Sequence, residues 1–195
     1  MKSKHSKKHS SEDRRTVKTK KLLAEALKEL ILEKEYDEIT IQEIIDRANV
    51  GRSTFYTHYE NKEQLLVGNI NFQETLIYTP DDDAENYPLG INISYLFSHN
   101  KDHVQLYKAM SGNRSIDILG NYYMDLCSSK IIEQLRPQFP YKKKEQQILT
   151  YKAEAAAGGI IRMMFKWLND GAIVPTEVMV GYAKKILKDF ILEEK

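Results

Sequence analysis

From Thr16 to about Lys34, apolar residues recur at helical spacing: Leu23, Ala26, Leu27, Leu30 and Ile31 share one face, with charges on the others. That stripe predicts an amphipathic helix packed on a small core. The pattern then breaks into short pieces. Ile41, Ile44, Ile45 and Ala48 fall on one face over barely two turns, and Thr40 stands three residues before Glu43, the spacing of a capping box, with Ile39 and Ile44 placed as a hydrophobic staple. Asn49 is suited to the left-handed conformation of a tight interhelical turn, and Gly51 is a tolerable N-cap. A second short helix, Arg52 to about Tyr59, is too polar on one face to be buried. Asn61 with Gln64 forms another capping box, opening a third helix through Leu65, Leu66 and Ile70. Thr-Ile-Gln-Glu-Ile also alternates like a half-buried strand, but it has helix caps on both sides and no partner strand nearby. Two short helices around a tight turn make a helix-turn-helix. Its second helix offers Arg, Ser, Thr, Tyr and His, which suit base edges and phosphates.

Beyond residue 78 the spacing lengthens. Residues 79–88, acidic and bounded by prolines, read as a loop between domains. Helical patterns follow at roughly 88–99, 102–111, 115–135, 142–169 and 176–193. Gly112 and Asn113 mark one break. Pro137 and Pro140 mark another, since neither fits inside a helix without losing a hydrogen bond. Asn169-Asp170-Gly171 predicts a left-handed glycine cap, and Pro175 stops continuation. With no internal repeat and no strand pair, the expected fold is all-α: an N-terminal three-helix helix-turn-helix domain followed by a C-terminal helical bundle. The expected division is 1–14 as a disordered basic tail, 15–67 as the DNA reader and 68–195 as a sensing and dimerisation bundle.

Charge sharpens this picture. The net is only +1, but residues 1–21 carry nine Lys or Arg against Glu12 and Asp13, a net of +7, so the remaining 174 residues sum to −6. A basic end on an acidic body is expected where one end faces phosphates. The chain of 195 residues, 42% hydrophobic, can bury a real core. The lone Cys127 excludes an intramolecular disulfide and fits a reducing compartment. Neither a membrane span nor the apolar core of a signal peptide occurs, so the expectation is a cytoplasmic protein without membrane association. A Gly-rich phosphate loop, a catalytic His/Cys/Asp cluster and a serine elbow are all missing from the pattern. No enzyme and no cofactor are expected.

The spacing of Thr40 and Ile44, the run Ala48-Asn49-Val50-Gly51, Ser53-Thr54-Phe55-Tyr56, Tyr59 and Lys62-Glu63-x-Leu65-Leu66 together resemble the DNA-binding domain of the tetracycline-repressor (TetR) family. The resemblance covers residues 16 to 67, with Asn49 where members often have Gly and Gly51 where they often have Ser. It implies a transcriptional regulator binding a double-stranded operator. The residues expected on DNA are Thr40, Arg52, Ser53, Thr54, Tyr56, Thr57, His58 and Lys62. Arg52 is placed for a bidentate grip on guanine. Tyr56 and Lys62 match family positions that hold the phosphate backbone. Phe55 and Tyr59 are expected in the core.

In the C-terminal half, Ala155-Ala156-Ala157-Gly158-Gly159 puts small residues in mid-helix, where two glycines cost roughly 1 kcal/mol each relative to alanine and permit close backbone approach. As in the resembled family, the last two helices of two subunits would form a four-helix interface using Ala155, Gly158, Gly159, Arg162, Met179, Tyr182, Ala183, Ile186 and Phe190. Pairing is also needed on geometric grounds, because two reader helices about 34 Å apart match the half-sites of a near-palindrome. Aromatic and Met side chains of the body suit an apolar or aromatic small-molecule effector, with Tyr95, Tyr107, Met110, Tyr122, Tyr123, Met163 and Trp167 as candidates. His99 and His103 lie four apart but lack a third ligand at suitable spacing, so no metal is expected. The functional expectation is a homodimeric repressor released from its operator by an effector. The alternative is an activator of the same fold controlled by a protein partner. A helical enzyme or interaction module that does not bind DNA is the remote alternative.

Overall fold

The computed structural model describes residues 9–68, 76 and 88–192, with side chains over 14–68, 76 and 88–189. Among them the secondary structure is helical, with no strand. Helix α1 spans His9–Glu33, α2 Ile41–Ala48, α3 Arg52–His58, α4 Lys62–Val67, α5 Ile93–Asp102, α6 Val104–Met110, α7 Arg114–Leu135, α8 Lys143–Asn169 and α9 Thr176–Leu192, with single 3-10 turns at Tyr36–Glu38, Pro88–Gly90 and Arg136–Gln138. Residues 9–14, expected in a disordered tail, instead form the first turns of α1. Residues 1–8, the acidic loop at 79–87 and Ile70 lie outside the described residues.

Local chemistry sets the element ends. Thr40 and Glu43 form both halves of a capping box, the Thr40 oxygen accepting from the Glu43 amide at 3.2 Å and the Glu43 carboxylate from the Thr40 amide at 2.9 Å. Asn49 closes α2 in the left-handed region (φ 51°, ψ 48°). Asn61 caps α4, accepting from the Gln64 amide at 2.8 Å. The reciprocal half differs from expectation: the Gln64 side-chain oxygen accepts from the Glu60 amide rather than that of Asn61. Helix α5 starts at Ile93, later than the sequence pattern suggested, because Leu89 and Gly90 both have positive φ, which no helix continues through. Asn92 then caps it, accepting from the Tyr95 amide at 2.9 Å.

Two packed bodies share one continuous core. In the reader, Leu23, Leu27, Leu30, Ile44, Ile45, Phe55 and Leu65 are buried together. In the body, α7 runs along α8, and α9 closes against α5 and α8. Where α7 meets α8, a methyl added to Gly120 would lie 3.2 Å from the Phe165 ring, so the glycine leaves room for that ring. Asn100, Ser115 and Ser128 are the buried polar residues among those described, and Asn100 anchors a network. Asn100 donates to the Leu96 carbonyl at 2.6 Å and to Met164 Sδ, while its side-chain oxygen accepts from the Tyr107 and Tyr123 hydroxyls. These two hydroxyls lie 2.9 Å apart, and burial raises both phenols above their ordinary range. The network joins α5, α6, α7 and α8, and every member is satisfied, as a buried polar cluster requires.

Candidate nucleic-acid interface

Helix α3 stands with one face in the core and the other in solvent. Phe55 is fully buried and Tyr59 nearly so, their rings 5.9 Å apart. They fix the helix to the domain by its apolar side. On the opposite side Arg52, Ser53, Tyr56 and Thr57 are exposed, Tyr56 by 47%. Thr54 and His58 are half-buried at the flank. The Arg52 guanidinium lies 5.7 Å from the Tyr56 ring centroid and donates to the Gln42 side-chain oxygen at 3.3 Å. Such contacts pre-orient a long side chain and reduce the entropy lost on binding. Gln42, on the exposed face of α2, was not among the expected site residues; the signal was its place beside the start of α3. The Thr57 hydroxyl donates to the Ser53 carbonyl at 2.9 Å. Burial, and then the nearby Lys20 charge, lower the His58 pKa, favouring a neutral imidazole that can both donate and accept. The exposed Arg14, Arg15, Lys18 and Lys21 of α1 put basic side chains on an ordered helix.

Lys62 departs from expectation. Its ammonium donates to three carbonyls, of Tyr36 at 2.8 Å, Asp37 at 3.2 Å and Ile39 at 2.8 Å, and sits 4.5 Å from the Tyr36 ring centroid. An ammonium has three donors, and all three of Lys62 are engaged by the 36–39 turn. Partial burial lowers its pKa. Thr40 is exposed, yet its hydroxyl is engaged in the capping box, also donating to the Glu43 carboxylate at 2.9 Å. Ion pairs brace the scaffold. Lys34 meets Glu43 at 2.5 Å, and Arg47 meets Glu33 at 2.8 Å and Glu29 at 3.2 Å. The Lys34 contact first, then the Thr40 hydrogen bonds, hold the Glu43 carboxyl down at about 2.

Two family models match this chain. The one described as "Bacterial regulatory proteins, tetR family" covers residues 23–68, and "Transcriptional regulator C-terminal region" covers residues 92–189. The chain belongs to the TetR family. It is therefore a DNA-binding transcriptional regulator of a family whose members dimerise and are not enzymes. Among relatives, the uncharacterized HTH-type regulator YxbF of Bacillus subtilis is 47% identical over 55 residues, 28% of this chain and 14% of that protein. The HTH-type dhaKLM operon transcriptional activator DhaS of Lactococcus lactis is 34% identical over 53 residues, 27% of this chain and 28% of that protein. These matches span well under two thirds of either relative. A solved structure of the dihydroxyacetone kinase operon activator DhaS superposes with a TM-score of 0.58 at 19% identity, covering 89% of this chain and 96% of that one, a likeness of fold.

In this TetR-family body the expected effector residues separate. Tyr107, Tyr122 and Tyr123 line a cavity of about 130 Å³ between reader and body, with Lys28 of α1, Leu65 of α4, and His99 and His103. Met110 and Trp167 are instead buried core, Trp167 donating to the Val174 carbonyl at 2.9 Å. Tyr95 and Met163 are half-buried and line neither that cavity nor the larger groove between α7 and α8. The His99 and His103 rings lie 5.0 Å apart, and among the described residues no group of three potential metal ligands occurs.

The expected pairing residues separate too. Ala155, Gly159 and Tyr182 are exposed, and Ile186 is half-buried. Met179 and Ala183 face inward, at 7% and 0% exposure, because the apolar stripe of α9 is wide and its inner edge packs on α5 and α8. Gly158 turns toward Met124. Arg162 lines the groove between α7 and α8, and the Phe190 side chain lies outside the described residues. Tyr151 and Val178 are exposed as well. Each stands one turn from an expected member, Tyr151 from Ala155 and Val178 from Tyr182. Among the described residues no helix is long and apolar enough to cross a membrane.

Proposed function

We propose that this chain is a homodimeric repressor that holds a near-palindromic operator and is released by a small-molecule effector. The exposed polar face of α3, clamped from behind by Phe55 and Tyr59, carries the reading. A rigid rod with Arg52, Ser53, Tyr56 and Thr57 outward fits a major groove, Arg52 taking a guanine edge and Tyr56 a phosphate. Residues 15–67 act as the reader and 68–195 as the sensing and pairing unit. The pairing face is the exposed small and apolar strip of Tyr151, Ala155, Gly159, Val178 and Tyr182. Leaving it in water is unfavourable, and small residues let two backbones approach.

The effector enters the cavity between reader and body. Because α1, α4, α6 and α7 all contribute walls, a ligand there has different contacts at different reader angles. Only such differential affinity can shift the bound population. Selection of bound duplexes from a random pool tests the DNA half. Enrichment of an inverted repeat with half-sites about one helical turn apart is expected; recovery of unrelated sequences or single half-sites overturns the dimeric reading.

A second reading has an observation in its favour. DhaS, 34% identical over 53 residues and similar in fold, is named an activator. Under that reading the body receives a protein partner and the chain activates its target. Deleting the gene and measuring transcripts beside the selected sites separates the two: rising transcripts support repression and falling ones activation.

A further inference from the structure

A second cavity lies away from both the reading face and the space behind it. A groove of about 400 Å³ runs between α7 and α8, bounded at one end by Ser111 and Gly112. Its volume falls in the ordinary range for small-molecule sites, roughly 300 to 1,000 Å³. Ile116, Met124, Ile161 and Phe165 make an apolar floor. Gly158 faces Met124, where a methyl would make only ordinary contact with Sδ at 3.7 Å, and Gly120 lets the Phe165 ring approach α7 closely, a methyl there falling 3.2 Å from the ring.

The polar groups at the rim are unequal. Lys166 is already paired with Asp170 at 2.5 Å, and Asp117, in the first turn of α7, also lines the groove. Arg162 lines the groove, and among the described residues it has no ion pair or side-chain hydrogen bond. A guanidinium held beside an apolar surface without a carboxylate is a ready bidentate donor for an organic acid. Asp117 in the same lining disfavours a second negative charge. We infer that this groove binds a small monocarboxylate with an apolar or aromatic body, its carboxylate on Arg162 and its body on Phe165, Met124 and Ile161. The site is separate from the cavity proposed for the effector, but the two share a wall. Tyr107 lines both and packs on Phe165 at 5.7 Å between centroids. An acid lying on Phe165 therefore touches the partition between the two spaces.

The inference does not depend on the operator reading, because its test measures binding of small probes to the full-length protein without DNA. Benzoate, 3-phenylpropionate and octanoate, each with its uncharged amide and its amine analogue, are titrated by calorimetry. At least one acid is expected to bind once per protomer, about tenfold or more tighter than its amide, the margin of a charge-assisted pair over a neutral hydrogen bond. Arg162→Gln should remove that margin while the protein melts as the wild type does. Gly158→Leu, which fills the groove, should abolish binding of acid and amide alike; should that variant misfold, Arg162→Gln alone decides. Failure of all three acids to bind, equal affinity for acid and amide, tightest binding by an amine, or undiminished acid binding by Arg162→Gln would each overturn the inference. Loss of operator binding by the unaltered protein bears on the reader and leaves this result standing.

Discussion

Reader and body are both helical, yet they are held by different means. In the reader, short helices of six to eight residues (α2, α3 and α4) cannot be stable alone. They are fixed by caps, by the Lys34–Glu43 and Arg47–Glu33 ion pairs and by the Lys62 ammonium on three backbone carbonyls. In the body, α7 and α8 run for 22 and 27 residues and pack by burying continuous stripes, with small residues where they approach. The reader thus ends with a rigid exposed face, while the body ends with crevices. Recognition of a fixed duplex calls for the first, and accommodation of a variable small molecule uses the second.

The sharpest way to break the contrast is to remove the clamp behind α3. Phe55→Ala should cost roughly 3 to 5 kcal/mol of stability, read as a lower urea midpoint. A loss below about 1 kcal/mol would mean that α3 is not anchored by its apolar side. Next comes Lys62. Its replacement by Met leaves three carbonyls without their donor and should cost about 1 to 3 kcal/mol, with the salt slope of DNA binding unchanged. A slope reduced by about 1 would instead restore Lys62 to the phosphate backbone. Thr40→Ala should cost about 1 kcal/mol by opening the capping box. An unchanged melt would show that α2 is held from elsewhere.

The smallest effect concerns pH at the junction of the two regions. Burial first, and then neighbouring positive charge (His103 for His99, Lys28 for His103), hold both imidazoles below their ordinary pKa. The unfolded chain therefore takes up protons that the folded one refuses, and stability falls as pH drops below about 6.5. A His99→Gln protein should show a shallower decline in melting temperature between pH 7.5 and 5.5. An identical decline would remove His99 from that pH response.

Much of the reader was legible because its determinants are local. Thr40 with Glu43, Asn49 after Ala48 and Asn61 before Gln64 each act within one turn, and each settles a boundary by itself. The backbone partners of Lys62 were not legible for the converse reason. The carbonyls it serves lie 23 to 26 residues earlier, and nothing in its immediate sequence announces them. Helix breaks in the body were marked by Gly112, Pro137 and Gly171. The roles of Tyr107, Met110 and Trp167 could not be sorted by periodicity, since helical spacing puts a residue inside without saying whether its neighbour is another side chain or a cavity. The wide stripe of α9 failed similarly: Met179 and Ala183 share it with Tyr182, but only Tyr182 reaches solvent.

The outward face of α3 as the DNA reader is tested most directly by anisotropy titrations of a selected operator and a scrambled duplex across salt, with wild-type, Arg52→Ala and Tyr56→Phe proteins. Arg52→Ala should lose about 1 to 3 kcal/mol on the operator and much less on the scrambled duplex. Tyr56→Phe should weaken both duplexes alike, with melting temperatures unaltered in each case. Wild-type affinity for the operator in both variants at every salt concentration would contradict the assignment of α3 as the reading helix.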